Sequence, residues 1–260
     1  MRGVWRQFPD DPDAGVLFAE ALMDLRPWDL WTAGGQPRPG TEEIVSTLES
    51  ILARFPDHPG ACHYYIHSVE ASPKPERALE CAKRLPDLMP GAGHIVHMPA
   101  HIYMRLGRYH DVAEQNAHAA HVDEEYLAKR KLSGDYADAY YTHNLHFLWA
   151  SLMMAGRKTE ALTVARQLTR TITEQEARKD TWKEFYLPAA LWSMIRFGNG
   201  MFYFTSCRLP RRCACNRPCG VWEEAWHWRR LAVCREPRGN ILYWLDWPSE
   251  SATIERQRRK

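Results

Sequence analysis

A spacing of 34 residues governs this chain. Ile44, Ala78 and Val112 stand 34 apart, and Ala161 follows after one further period plus a 15-residue insertion. Pro56 and Pro90 each come 12 residues after an anchor, and a proline cannot continue a helix. Small or apolar residues recur four and seven after the anchors: Leu48 and Ile51, Ala82 and Leu85, Ala165 and Leu168. That rhythm gives one buried stripe at helical periodicity. Asn116 interrupts the stripe in the third unit, where Ala119 keeps it. Gly107-Arg108-Tyr109 and Gly156-Arg157-Lys158 fall just before their anchors, where a tight turn between paired helices belongs. One such unit cannot bury its own apolar face, so the units must stack.

The period is that of a tetratricopeptide unit, a pair of antiparallel helices. The expected fold is therefore all-α, a tetratricopeptide-like α-solenoid over residues 1–198 with an irregular tail over 199–260. Helices are predicted near 12–25, 41–55, 59–71, 75–88, 94–106, 108–127, 137–155, 157–178 and 184–198. Phe8-Pro9-Asp10-Asp11-Pro12 and Phe55-Pro56-Asp57-His58-Pro59 look alike, so each is read as the entry to a first helix. Residues 1–8 then read as the end of an earlier second helix, and the array begins inside a repeat. The segment 26–40 is expected to cover one end of the groove between the stacked units, with Trp28 and Trp31 either closing the site or capping the first repeat.

Histidine follows the same period. Fifteen residues before anchors stand His63, His97 and His146; eleven before stand His67 and His101; eighteen before stand His94 and His143. On a helix, residues at i, i+3 and i+7 lie within about 60° of one another. His94, His97 and His101 thus share a face, and the matched slots point the faces of successive units the same way. The expectation is a histidine-lined concave groove with Glu20, Glu70, Tyr64 and Tyr103 beside it, and with Tyr65, Tyr140 and Tyr141 adding flat contact area. Pro99, between His97 and His101, either opens a helix or bends one so that both rings aim at a common point. His58, His110, His118, His121 and His227 fall outside the slots and read as surface residues.

Beyond about Gly198 the repeat grammar stops. Cys207, Cys213, Cys215, Cys219 and Cys234 crowd into this segment with five tryptophans. Their spacing lacks the paired C-x2-C knuckles of common zinc modules, so an out-of-frame or replaced tail is the preferred reading. A helix over Val221 to Val233 is the one ordered element expected there. With only Cys62 and Cys81 earlier in the chain, no disulfide framework is expected.

The segments FPDDPDAGVLFAEALMDLRPWDLW, HPGACHYYIHSVEAS, AGHIVHMPAHIYMRLGRY and YTHNLHFLWASLMMAGR carry a resemblance to a group of bacterial tetratricopeptide-repeat proteins. It covers roughly residues 8 to 198, and the histidines look like part of that group's pattern. The resemblance implies a soluble repeat protein and carries over no catalytic residue.

Three readings of the groove follow. In the first it is a binding module for a peptide, a protein or a small acidic ligand, the histidines donating hydrogen bonds. In the second it binds a transition metal (zinc, copper, nickel or iron) through His63, His67, His97, His101, His146 and Glu70, because imidazole suits these ions and HxxxH presents two ligands to one of them. Metal-dependent catalysis would then be open to it, with no reaction indicated. In the third the rings are a buried polar network. The 34 basic and 32 acidic residues nearly cancel, and no basic stripe stands out before residue 200, so nucleic acid is not an expected partner. No leader and no apolar run of about 18 residues is visible, which predicts a soluble chain without a membrane span. The start inside a repeat leaves the compartment open, cytoplasmic as read or periplasmic.

Overall fold

The two look-alike segments both become helix starts. Asp11 accepts from the backbone N–H groups of Asp13 at 3.0 Å and Ala14 at 3.4 Å, capping a helix whose first residue is Pro12. His58 does the same one unit later: Nδ1 accepts from Ala61 N–H at 3.2 Å, with Pro59 next. Both follow the same logic, since a polar cap fills an orphan donor and proline occupies a position whose N–H needs no partner. His58 is therefore a capping residue, not an incidental surface one, and its Nε2 lies 3.1 Å from Asp13 Oδ1.

The computed structural model describes residues 1–130, 136–172 and 181–198, and the backbone of 221–222, 231–235 and 241–245. The described part of residues 1–198 is built of helices: α1 (Arg2–Gln7), α2 (Pro12–Met23), α3 (Thr41–Arg54), α4 (Pro59–Val69), α5 (Leu79–Leu88), α6 (Gly93–His97), α7 (Pro99–Arg105), α8 (Tyr109–Arg130), α9 (Thr142–Met154), α10 (Lys158–Arg170) and α11 (Ala189–Arg196). Short 3-10 turns, Pro75–Ala78 and Thr181–Tyr186, lead towards α5 and α11, and a π-helical turn, Ala137–Tyr141, leads into α9. Each expected helix has a counterpart. The one expected over 94–106 is divided at Met98–Pro99, because proline has no N–H for the carbonyl of Ile95. Met98 N–H takes that carbonyl instead at 3.3 Å, and His101 N–H reaches only to Met98 at 3.2 Å.

Helices pack on their neighbours in the sequence and on the next but one. α2, α3 and α4 touch pairwise, α4 meets α5 and α7, α8 meets α6, α7 and α9, and α10 meets α9 and α11. The anchors are buried, with Ile44 1% exposed and Ala78, Val112 and Ala161 at 0%, as are the stripe residues Leu48, Leu85 and Leu168. Gly107 and Gly156 take φ of 71° and 74° in the turns α7–α8 and α9–α10. A side chain is strained in that left-handed region, so the tight turns predicted there depend on glycine.

The 26–40 segment lies against α4: Trp31 Nε1–H donates to the carbonyl of Ser68 at 2.7 Å, while Trp28 is 90% exposed and closes nothing. In the C-terminal segment both ends of the helix expected over Val221 to Val233 are strand, and its middle lies outside the described residues. Val221–Trp222, Leu231–Arg235 and Ile241–Leu245 are strands of one antiparallel sheet, in that order, with Val233 opposite Tyr243. Ile241-Leu-Tyr-Trp-Leu is a short run rich in residues that suit a pleated surface, and Leu231-Ala-Val-Cys-Arg pairs with it. The tail cysteines other than the Cys234 backbone lie outside the described residues. No helix among the described residues is long and apolar enough to cross a membrane.

Candidate metal centre

Six of the seven slot histidines meet where α4, α6, α7 and α9 converge. α4 brings His63 and His67, α6 brings His94 and His97, α7 brings His101, and α9 brings His143. Ring centroids run 5.0 Å from His63 to His94, 4.9 Å from His67 to His101, 4.8 Å from His97 to His101 and 4.7 Å from His97 to His143. Two groups each offer three ring nitrogens within 4.8 Å of one another: His63, His67 and His94, and His97, His101 and His143. Phe147, one turn after His143, lies 4.7–4.9 Å from the rings of His97, His101 and His143 and forms an apolar floor beneath them.

Hydrogen bonds determine which ring atoms face inward. Asn116 Nδ2 donates to the carbonyl of Val112 at 2.8 Å, so its Oδ1 is the atom presented to His97 Nδ1 at 2.6 Å. That assignment follows from the network. His97 Nδ1 must therefore carry the proton, and its Nε2 keeps a lone pair when the ring is neutral. Glu70 acts in the same way on two rings at once. Oε1 lies 2.9 Å from His67 Nδ1 and Oε2 lies 2.6 Å from His101 Nδ1. A carboxylate only accepts, so both Nδ1 atoms donate. The Nε2 atoms of His97 and His101 then face each other at 2.9 Å. Two lone pairs at that distance repel, and the arrangement needs a proton or a cation between them.

Burial sets the charge state of the cluster. His97 is fully buried, and burial, followed by the neighbouring His101 and His143, holds it well below the usual imidazole range. Burial and adjacent histidines push His63 and His143 down to about 3 and His94 to about 4. Burial works against the charged form of Glu70, yet the His101 and His67 rings that donate to it outweigh this and hold it below the usual carboxylate range. His63, His94, His97 and His143 are thus neutral rings beside one ionised carboxylate, and neutral imidazole is the form that ligates metals.

The other expected site residues lie outside the two triads. His146, assigned to the metal set from its slot, instead packs among Trp149, Phe185 and Tyr186 with centroids at 5.4, 5.2 and 5.1 Å. His143 and His146 are only about 60° apart on α9, but the element beside His146 is the Thr181–Tyr186 turn and not a histidine-bearing helix. Conversely, His94 and His143, left out of the sequence-derived metal set, each complete a triad. Glu20 is taken by the Tyr64 hydroxyl, and Tyr64 stacks on His63 at 4.8 Å. Tyr140 meets the ring of His94 at 4.9 Å. Tyr103 turns away, under the Arg108 guanidinium at 4.6 Å; Tyr65 and Tyr141 donate to Glu49 and Glu124 at 2.6 and 2.7 Å. The sequence reading missed Asn116 and Phe147 as parts of the centre. The signal available for Asn116 was its break in the apolar stripe.

No protein-family model and no curated protein matches the chain.

Proposed function

We propose that this chain is a tetratricopeptide-like helical array that binds a divalent first-row transition-metal ion through His97, His101 and His143. The observation that carries the reading is the pair of opposed Nε2 atoms, 2.9 Å apart, each left with its lone pair by an acceptor on its own Nδ1. Two nitrogens on one ion at about 2.0–2.1 Å stand about 2.9–3.4 Å apart, depending on the coordination angle. His97 and His101 are therefore spaced as ligands with almost no rearrangement, and a nitrogen of His143 lies within 4.8 Å of both. Glu70 and Asn116 complete the pattern, since metal-bound histidine characteristically donates its other N–H to a carboxylate or amide oxygen. Scale favours an ion over a peptide: the gap between these rings suits one atom. Three imidazoles leave a coordination position for water or a small acid, the arrangement from which Lewis-acid chemistry starts.

The test is metal-dependent melting of the full chain, stripped with chelator and titrated with Zn2+ and Ni2+ near neutral pH. Binding to the folded state alone adds about 4 kcal/mol at a thousandfold excess over Kd. For a chain of this size that raises Tm by roughly 8–16 °C. His101→Ala and His143→Ala abolish the shift due to this triad, whereas His146→Phe keeps it. If neither metal moves the melt of the parent protein, the opposed nitrogens share a proton and the cluster is a structural network.

A further inference from the structure

The first triad uses only half of the histidines in the centre. The other three have the same unfinished bonding. Nε2 of His94 and Nε2 of His63 lie 3.1 Å apart, so at most one hydrogen bond joins these rings. His94 Nδ1 is buried and has no hydrogen-bond partner among the described residues. A buried polar atom without a partner is costly, and native structures rarely tolerate one unless something else is bound there. The third ring, His67, gives its Nδ1 proton to Glu70, which leaves its Nε2 as a bare acceptor. One nitrogen from each of the three lies within 4.8 Å of the others.

We infer that His63, His67 and His94 form a second metal site, so that the array holds two ions whose ligand sets are joined by Glu70. The inference rests on the single-ion reading above and extends it. Glu70 is a positioning residue: Oε1 orients a ring of one triad and Oε2 a ring of the other. Its two oxygens are occupied by these donors, which is why the grouping His67, Glu70 and His101 acts as the bridge between sites. With two dications and one carboxylate, the ions repel each other, so the second binds more weakly and the titration has two phases. α4, α6 and α9 carry no Asp, Glu, Lys or Arg; α7 carries Arg105, whose Nε donates to the Glu70 carbonyl at 2.7 Å, and Glu20 of α2 is engaged by Tyr64 beside His63.

Equilibrium dialysis of the chelator-stripped full chain against Zn2+, with metal counted per protein by atomic spectroscopy, distinguishes the outcomes. The expected stoichiometry is two, falling to one in His63→Ala, to one in His143→Ala, and to none in the double variant. Glu70→Gln, whose amide can accept from only one of the two rings, weakens binding by about 10–100-fold, the usual effect of losing an outer partner. It also disturbs both phases, which a residue serving one site would not do. Circular dichroism of each chelated variant verifies that its helices are intact, and Ni2+ titration supplies an independent count. A stoichiometry of one that survives His63→Ala overturns the second site and leaves the single-ion reading standing. A single ion lost in both variants also overturns the second site, and moves the one ion from the first triad to a place between the two. A stoichiometry of zero in the parent overturns both readings.

Discussion

Replacing His146 by phenylalanine should make the metal-free protein more resistant to acid, and the size of the gain follows from burial. Besides His97, the fold holds four histidines neutral well below their usual range: His63 and His143 at about 3, His94 and His146 at about 4. An unfolded chain protonates each near 6.5. Below that pH the unfolded state binds more protons than the folded one, so stability falls as pH falls. The contribution is fully present above about 6.5 and is lost progressively down to each folded value. Between pH 7.5 and 5.5 each histidine costs about 1.3 kcal/mol, and four together cost about 5 kcal/mol, comparable with the whole net stability of a modest domain. His146 isolates one share of this, because burial alone depresses it and its ring neighbours Trp149, Phe185 and Tyr186 are uncharged. Urea unfolding in chelator at the two pH values gives the loss for each protein. The substituted chain should lose about 1.3 kcal/mol less than the parent. The comparison is between losses, so any packing change from the larger ring cancels. Equal losses would refute the reasoning, since they would mean that His146 titrates as freely in the fold as in the unfolded chain.

Gly93→Ala tests the contact between α6 and α8: an added Cβ would stand 2.0 Å from Asp123 Oδ1, which is buried. The helices must part, and thermal melting should report a loss of about 1–3 kcal/mol, as overpacking usually costs. Asn116→Leu removes the acceptor on His97 Nδ1 and strands that N–H in the core, at a cost of about 1–3 kcal/mol. Calorimetry should find Zn2+ bound about 10–100-fold more weakly, because the tautomer that presents Nε2 is no longer held; unchanged affinity would show that Asn116 does not orient the ring.

The helices could be read from the chain because their signals are local and repeated: the proline after each cap, the glycine in each tight turn, the apolar residue at each anchor. Matched slots identified the face on which histidine would appear, and six of the seven do meet. A slot does not specify the neighbour, however. His146 occupies the slot of His63 and His97, yet the element beside it is the Thr181–Tyr186 turn, which carries aromatic residues and no histidine. Only the packed units determine that. More could have been drawn from the violations of the pattern. Asn116 and Asp123 lie seven apart on the buried side of α8, among Val112, Ala119 and Ala120. A polar side chain in such a stripe must have a partner elsewhere in the core. Asn116 finds His97, and Asp123 accepts from Asn144 Nδ2 and the Tyr136 hydroxyl, each at 2.7 Å. Asn144 is the residue after His143. The two breaks in the stripe of α8 thus point to α6 and α9, two of the elements that supply the first triad, and a stripe violation in a packed helix is evidence about which neighbouring helices share a site.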